Sequence, residues 1–206
     1  MMSKPRAQVA IDLETLSTSP AAVMLSIGAV AVCESTGTRL QFYAATSVDS
    51  QPGRKTDAST LIWWDKQSNE ARKAFDYAHS EDCPPLSQAL DQLTDWLGKL
   101  GETHDVYVWG NGADFDIGIL NHAYKEISNF VPWDFRKVRD MRTLYDITLR
   151  FGLTISVPRV GTHHNALDDA QFQADVIMES LRQLEATKAF VDEATALKAE
   201  MDEEAA

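Results

Sequence analysis

The sequence lacks the features that mark membrane proteins and disulfide-rich secreted proteins. A membrane-spanning helix needs about 20 consecutive apolar residues, and the longest apolar run here, residues 21–33, is interrupted by Ser26. The first residues contain no long apolar region of the kind found in signal peptides. Only two cysteines occur, Cys33 and Cys83, and their spacing matches no metal-binding motif. We therefore expect two free thiols in a reducing compartment, the cytoplasm.

Basic residues are also scarce, since 19 lysines and arginines stand against 31 acidic residues, for a net charge of −12. Phosphate-binding proteins are usually basic, so this balance argues against a broad basic face that binds a nucleic-acid duplex tightly. Part of the acidity is local, because residues 185–206 hold seven acidic residues and two lysines, a net charge of −5. The charge therefore weakens the case for a nucleic-acid partner without excluding one.

The rest of the composition is that of one globular domain. The chain has 206 residues, of which 44% are hydrophobic, and this is enough for a single domain with a sizeable core. Three strands are predicted near the amino terminus, at residues 9–13, 23–33 and 40–47. The turn-forming sequence at residues 35–38 joins the last two as a hairpin, which predicts an antiparallel meander.

Helical patterns dominate the remainder of the chain, where apolar residues recur every three or four positions. Helices are predicted at residues 58–67, 69–78, 84–101, 114–128, 143–151 and 165–187, and further strands at residues 106–109 and 153–158. This order predicts an α/β fold of three layers, with a mixed five-stranded sheet flanked by helices. We expect residues 1–187 to form the domain and the acidic residues 188–206 to form a helical or disordered tail.

Two acidic residues end the first predicted strand. Asp12 and Glu14 are two positions apart, so on a strand their side chains point to the same face. Neighbouring carboxylates repel each other, and a divalent cation relieves that repulsion. The alternative is a strand that simply ends in polar residues, and this pair alone does not decide between the two.

A second acidic group stands where the strand at residues 106–109 gives way to a predicted helix. Acidic residues at a helix start often cap free N–H groups or complement the helix dipole. Asp114 fits that role, whereas Asp116, which is followed by Ile117, can face inward. Asp116 is therefore the candidate for a functional carboxylate, with capping as its alternative.

The third group combines two histidines with two aspartates. His163 and His164 stand just before the last predicted helix, and Asp168 and Asp169 lie in its first turns among alanines that allow close approach. A purely structural interpretation also exists, in which the aspartates complement the helix dipole and the histidines belong to a polar loop.

In this order and at this spacing, the three groups resemble the motifs of the DEDDh branch of the DnaQ-like 3′–5′ exonucleases, which includes RNase T and oligoribonuclease. The resemblance spans residues 9–184 and implies an RNase H-like fold. In that family the histidine lies five positions before a last aspartate that is followed by alanine, and His164, Asp169 and Ala170 match this pattern, whereas Asp168 is followed by another aspartate. The implied catalytic residues are Asp12, Glu14, Asp116, His164 and Asp169.

Within that branch, the sequence is most similar to small members of the phage and prophage type. Some of these are known as exoribonucleases and others as exodeoxyribonuclease VIII-like proteins. The similarity is carried by residues 11–18 (Ile-Asp-Leu-Glu-Thr-Leu-Ser-Thr), by Trp63-Trp64 and by residues 108–113 (Val-Trp-Gly-Asn-Gly-Ala).

The resemblance implies a site for two Mg²⁺ ions, with Mn²⁺ able to substitute, because hard cations of this kind prefer oxygen ligands. Asp12 is expected to bridge the two ions, Glu14 and Asp169 to complete the ion on the side of the attacking water, and Asp116 to support the other. His164 is expected to act as the general base. If the cations neutralise these four carboxylates, the chain outside residues 185–206 carries a net charge of about −3.

The implied substrate is the 3′ end of a single-stranded RNA or DNA, from which nucleoside 5′-monophosphates are released. The sequence does not distinguish the two polymers, because no residue can be assigned to a 2′-hydroxyl. Leu16 is the candidate for an apolar wedge at the terminal base. The full set of expected substrate contacts is Thr15, Leu16, Ser17, Asn111, Phe115 and Asn165.

Several points stay open at this level. Trp63 is expected to pack in the core, with base stacking as its alternative. The basic segment at residues 136–142 is either a phosphate-binding edge or a subunit contact, and a homodimer is possible by resemblance. A phosphodiesterase acting on dinucleotides or very short oligonucleotides, and an inactive nucleic-acid-binding module of the same fold, are the alternative functions.

Overall fold

The computed structural model describes residues 4–204, with side chains described up to Met201. Its centre is a five-stranded sheet in the order β3-β2-β1-β4-β5. The strands are β1 (Arg6–Thr15), β2 (Met24–Cys33), β3 (Arg39–Ala45), β4 (Asp105–Gly110) and β5 (Val138–Asp140). β1, β2 and β3 pair antiparallel, whereas β1, β4 and β5 pair parallel. The predicted meander and the predicted mixed five-stranded sheet are both confirmed.

Six helices and one short 3₁₀ turn at Phe135–Lys137 accompany the sheet in the described residues. The helices are α1 (Ala58–Trp64), α2 (Asn69–Ala78), α3 (Leu86–Thr103), α4 (Asp116–Ile127), α5 (Met141–Arg150) and α6 (Ala166–Glu204). None of these helices has both the length and the apolar character that crossing a membrane requires.

The two faces of the sheet bury different helices, because side chains alternate along each strand. Val9 and Ile11 of β1 point to one face and pack with the leucines of α3 and the buried side of α4. Ala10 of β1 points to the other face and packs with alanines of α6. All ten residues of β2 are buried, as expected for a strand covered on both sides. Asp12 and Glu14 share the parity of Ala10 and therefore face α6.

The fifth strand was predicted at the wrong place. It is formed by Val138–Asp140, and residues 153–158 form neither helix nor strand. Ile155 and Val157 of that segment pack against the core beside α6, so their apolar character reflects packing and not strand pairing. A strand of three residues is too short to show the alternation from which strands are predicted.

Two helix ends also differ from prediction. Gly101 does not end α3, which continues to Thr103. α6 does not stop near Thr187 but runs without a break to Glu204. Every described side chain from Lys188 to Met201 is exposed, so this stretch of helix makes no packed contact with the sheet. Residues 205 and 206 of the expected tail lie outside the described residues.

Candidate active site

The site begins where the start of α6 lies directly against the backbone of β2. Gly28 of β2 pairs with Asp12 of β1, and a Cβ atom at Gly28 would lie 2.2 Å from the carbonyl carbon of Ala166. No residue with a side chain fits in that space, so glycine is needed for this close approach. Two turns further on, Gln173 of α6 donates its side-chain Nε2–H to Asp12 Oδ1 over 2.5 Å. The first turns of α6 are thereby held against the acidic end of β1.

The end of β4 brings Asp116 to the same place. Asp116 is the first residue of α4 and is 2% exposed. Its Oδ2 accepts the backbone N–H of Asn111 over 3.0 Å. Asp114 is exposed, and α4 has Phe115 at its N-cap position without a side-chain cap. The expectation that Asp114 caps this helix is therefore wrong, and Asp116 is the aspartate that faces inward.

His164 and Asp169 complete the group. The backbone N–H of His164 donates to Asp169 Oδ2 over 3.1 Å, and His164 has a φ of 64°, in the left-handed region that few non-glycine residues adopt. Candidate ligand atoms of Glu14, His164 and Asp169 all lie within 4.8 Å of one another. The structure thus places these three side chains around one point.

The neighbours His163 and Asp168 lie elsewhere. His163 is exposed. Asp168 Oδ2 accepts the backbone N–H of Thr162 over 2.8 Å, and its carboxylate lies so close to Gly161 that a Cβ there would clash. Asp168 therefore holds the loop before α6 and stands apart from the clustered side chains.

The clustered carboxylates are electrostatically unfavourable without a cation. Burial, followed by the charges of Asp116 and Glu14, raises the pKa of Asp12 well above its usual range. Burial and the nearby Asp116 raise the pKa of Glu14 to about 8. Burial also raises the pKa of Asp116 to about 7, against the lowering effect of backbone N–H donors. Glu14 and Asp116 therefore take up protons near neutral pH, which a bound cation would displace.

The donor set fits a hard divalent cation. All four acidic side chains offer oxygen, the ligand that Mg²⁺ and Mn²⁺ prefer. Asp169 Oδ1 is buried and forms an ion pair with the guanidinium of Arg159 that lacks the geometry of a hydrogen bond. The raised pKa values and the convergence of these oxygen donors together support a metal site.

His164 has the properties of a base near neutral pH. Burial, followed by the influence of His163 and Arg159, lowers its pKa below the usual value for histidine. A lowered pKa favours the neutral imidazole, which is the form that accepts a proton. Its ring lies edge-on to Trp63, with centroids 4.6 Å apart and an interplanar angle of 83°.

Of the two adjacent tryptophans, Trp64 is buried and Trp63 is exposed. Trp64 is 1% exposed, and its indole N–H donates to the backbone oxygen of Thr15 over 2.9 Å. Trp63, which was expected in the core, is 39% exposed and lies against His164. The expectation for Trp63 was wrong because neighbouring helical positions face different directions and the sequence does not fix which one points inward.

Arg159 is a residue of the site that sequence reasoning missed. Its guanidinium contacts Asp169 Oδ1, and its central carbon lies 4.7 Å from the ring centroid of Phe172. The residue stands alone in an irregular segment without other basic residues beside it. No pattern in the sequence could have assigned it to the acidic cluster, because the contact depends on how this segment folds over α6.

The side chains expected to touch substrate after β1 are mostly internal. The Thr15 hydroxyl donates to the backbone oxygen of Ser17 over 2.8 Å, and the Ser17 hydroxyl donates to Asp57 Oδ2 over 2.7 Å. Leu16 is 1% exposed and packs in a cluster with Trp64. In this structure Leu16 does not present its side chain at the surface, as an apolar wedge would have to.

The other expected contacts lie around the site with roles in the fold. Asn111 Oδ1 accepts the Nε–H of Arg142 over 3.1 Å. Asn165 Oδ1 accepts the backbone N–H of Leu167 over 3.1 Å, so its side chain caps α6. Phe115 is partly buried against the core. Contact of Asn111, Asn165 and Phe115 with a nucleotide therefore stays a prediction.

The basic segment is largely engaged within the chain. Arg136 pairs with Asp134, with 3.0 Å between Nη2 and Oδ2, and Lys137 pairs with Asp105. Exposed pairs of this kind contribute little to stability. They nevertheless reduce the positive charge that this edge offers to a phosphate.

Comparison with known proteins identifies the family. The model of the "3'-5' exoribonuclease Rv2179c-like domain" matches residues 7–181, a stretch that contains the five strands, except for the first residue of β1, and all five proposed catalytic side chains. No curated protein sequence matches the chain.

Solved structures share the fold at low identity. Cell-death related nuclease 4 (CRN-4) superposes with a TM-score of 0.61 at 15% identity, over 88% of this chain and 65% of that one. The nuclease domain of 3'hExo, a DEDDh family member bound to rAMP, gives 0.57 at 14% identity, over 88% and 93%. E. coli exonuclease I in complex with an oligonucleotide gives 0.50 at 14%, over 86% and 40%.

The chain thus spans slightly less than two thirds of CRN-4 and nearly all of the 3'hExo nuclease domain. These likenesses confirm the RNase H-like α/β fold. The family match adds the class of reaction, and it confirms the prediction of a hydrolytic enzyme. The chain belongs to the Rv2179c-like 3′–5′ exoribonuclease domain family.

Proposed function

We propose that this protein is a two-metal-ion exonuclease that removes nucleoside 5′-monophosphates one at a time from the 3′ end of single-stranded RNA. The observation that carries the proposal is the convergence of acidic side chains from β1, α4 and α6 with one histidine. Its catalytic residues are Asp12, Glu14, Asp116, Asp169 and His164.

Two Mg²⁺ ions are the proposed cofactor, with Mn²⁺ as a substitute. Asp12 would bridge both ions, Glu14 and Asp169 would hold the ion beside the attacking water, and Asp116 would support the second ion. When bound, the ions supply a water of lowered pKa and positive charge for the scissile phosphate. The oxygen donors of the four carboxylates and the raised pKa values of Glu14 and Asp116 support this assignment.

His164 is proposed to accept the proton of the attacking water on its unprotonated ring nitrogen. Its lowered pKa keeps that nitrogen free at neutral pH. Trp63 limits the directions that the imidazole can take, because its ring lies edge-on 4.6 Å away. A general base of this kind contributes on the order of 10²–10⁴-fold to the rate.

RNA is proposed as the polymer on the strength of the family, whose description names an exoribonuclease. The 3'hExo nuclease domain, which shares the fold, was crystallised with rAMP, a ribonucleotide. The acidic balance of the chain, −12 overall, favours a single strand held by its end over a duplex held along its length. Membership of the phage and prophage type, and assembly as a homodimer, remain predictions.

The test uses 5′-labelled single strands of identical sequence, one of RNA and one of DNA, incubated with Mg²⁺. We expect a ladder that shortens from the 3′ end, faster on RNA, and that EDTA abolishes. Cleavage inside the strand, or no cleavage in any divalent metal, would overturn the exonuclease. Equal rates on both strands would overturn only the preference for RNA.

The His164→Ala variant tests the base in the same assay. We expect it to keep its fold by circular dichroism and to lose activity by on the order of 10²–10⁴-fold. His163→Ala is the matched control, because His163 is the adjacent histidine and is exposed; it should retain nearly full activity. Near-normal turnover by His164→Ala would remove the residue from the mechanism.

A further inference from the structure

Arg159 occupies a position in the acidic cluster that a metal-binding site does not need. Its guanidinium contacts Asp169 Oδ1, and that oxygen accepts no hydrogen bond from the described residues. The positive charge of Arg159 is therefore the compensation that Asp169 Oδ1 has in this structure. The charge also reaches Asp12, whose raised pKa it opposes, although burial and the nearby carboxylates dominate there.

This arginine and a bound metal ion compete for the same carboxylate. Asp169 belongs to the proposed ligands of one cation, and a guanidinium in contact with Asp169 Oδ1 would repel a dication on that side chain at short range. Two outcomes are physically possible when metal binds. Either the arginine leaves Asp169, or an anion arrives that stabilises both positive charges.

The surroundings of Arg159 allow it to move. The residue lies in an irregular segment between α5 and α6, and its side chain is 26% exposed. Its guanidinium rests on the ring of Phe172 at 4.7 Å, a contact that holds the side chain beside the cluster without fixing it to one partner. Gly161, two positions later, has a φ of 93°. A short displacement of the guanidinium away from Asp169 would leave it at the rim of the site, beside the ring of Phe172.

A phosphate is the anion that this geometry would accept. The planar guanidinium binds phosphate oxygens through two parallel N–H donors. Most of the basic segment at residues 136–139 is paired with acidic or backbone groups. Arg159 thus already places a positive charge beside the carboxylates, in a chain whose net charge of −12 is unfavourable for binding phosphate.

We propose that Arg159 is a movable counter-ion: it stabilises Asp169 before metal binds, divalent cations displace it, and it then binds the phosphate of the nucleotide. This inference rests on the proposed metal site and extends it to a residue that contacts substrate. It makes two predictions. Arg159 should weaken the binding of a divalent cation when no nucleotide is present, and it should strengthen the binding of a nucleotide when the cation is bound.

The first experiment measures Mn²⁺ binding to the full chain by calorimetry or electron paramagnetic resonance, with no nucleotide present. Arg159→Gln removes the competing charge, so we expect Mn²⁺ to bind on the order of tenfold more tightly than to the unaltered protein. Arg159→Lys keeps the charge and should stay close to the unaltered protein. Arg182→Gln is the matched control, since it removes the same charge from an exposed pair with Glu179.

The second experiment measures binding of AMP at saturating Mn²⁺, which involves no turnover. Arg159→Gln should weaken AMP binding on the order of tenfold, the size expected for one charge-assisted contact. Without Mn²⁺ the variant and the unaltered protein should differ little, because Asp169 then holds the arginine. Arg182→Gln should leave AMP binding unchanged under both conditions.

The outcomes separate this inference from the proposed function. If the unaltered protein binds no Mn²⁺ at all, the metal-dependent function fails. If Mn²⁺ binds but with equal affinity in Arg159→Gln, the function stands and the counter-ion role is overturned. Tighter Mn²⁺ binding with unchanged AMP affinity overturns the phosphate contact. Circular dichroism and a second variant, Arg159→Lys, guard against loss of fold as the cause.

Discussion

The two halves of α6 are built from similar residues and have different surroundings. In the first half, small residues such as Ala166, Ala170 and Ala174 are buried against the sheet. In the second half, from Lys188 to Met201, alanines are again frequent but every described side chain is exposed. Both halves form one continuous helix. Both halves therefore have the propensity to form a helix, whereas only the first half contacts the sheet. That half carries Asp169, one of the proposed catalytic residues.

The largest expected difference is between two aspartate-to-asparagine substitutions, one in each half of α6. Asp169→Asn removes a proposed metal ligand from the first half and should reduce exonuclease activity to the limit of detection. Asp192→Asn alters an aspartate of the second half that pairs with Lys188 at the surface and should leave activity unchanged. Both are measured on 5′-labelled RNA with Mg²⁺. Equal loss in the two variants would contradict the distinction between the halves.

A substitution on the sheet should be next in size. Gly28→Ala places a Cβ atom 2.2 Å from the backbone of Ala166, so the first half of α6 must shift away from β1. We expect a loss of about 1–3 kcal/mol in the free energy of unfolding, measured by urea denaturation, together with a marked loss of activity.

The matched control for that substitution is Gly98→Ala on α3. An added Cβ at Gly98 meets no atom within 4 Å, and alanine favours helix by up to about 1 kcal/mol over glycine. Gly98→Ala should therefore stabilise the protein slightly and keep its activity. If Gly28→Ala behaves in the same way, α6 is not positioned by this close contact.

In metal-free protein, pH should change the stability of the first half of α6 more than that of the second half. Glu14, with its pKa raised to about 8, binds more protons folded than unfolded between pH 4.5 and pH 8. Stability from this group is therefore full below pH 4.5 and is lost as the pH rises through 8. We expect the melting temperature in EDTA to fall across this range, and Mg²⁺ to restore more of it at pH 8 than at pH 6.

Hydrogen exchange locates that effect along the helix. Amides of Ala166–Ile177 should gain protection when Mg²⁺ is added at pH 8, whereas amides beyond Lys188 should not change. The variant Glu14→Gln should flatten the dependence of the melting temperature on pH. A uniform response of both halves to Mg²⁺ would argue that the helix acts as one unit.

The smallest effect is expected from removal of residues 188–206. Their described side chains are exposed, so a chain that ends at Thr187 should lose no more than about 0.5 kcal/mol of stability and should keep its activity on RNA. Denaturation and the nuclease assay measure both. A large loss of either would show that the second half contributes to the folded domain or to substrate binding.

Patterns that repeat along the chain were predictable from the sequence. The strands β1 to β4 and all six helices were predicted near their observed positions, because apolar side chains recur with the period of each element. The residues that flank each motif also separated Asp116 from Asp114 and His164 from His163. In the structure Asp116 is buried near Asp12 and Glu14, and His164 lies beside Glu14 and Asp169.

Properties that depend on tertiary contact were not predictable. Arg159 reaches Asp169 because an irregular segment folds over α6, and such a path has no periodic signature. Gly28 is an unremarkable residue of an apolar strand until α6 lies against it. Trp63 and Trp64 are chemically identical neighbours, and the rotation of a short helix decides which is buried.

At His164, the side chain that the proposed reaction needs differs from the residue that the backbone conformation favours. The proposed mechanism needs an imidazole at this position for proton transfer, yet its φ of 64° is adopted most easily by glycine and asparagine. Substitution of His164 by glycine or asparagine would therefore reduce the backbone strain and, at the same time, remove the proposed general base. A relative with asparagine or glycine here would be expected to fold at least as well and to have exchanged hydrolysis for binding alone.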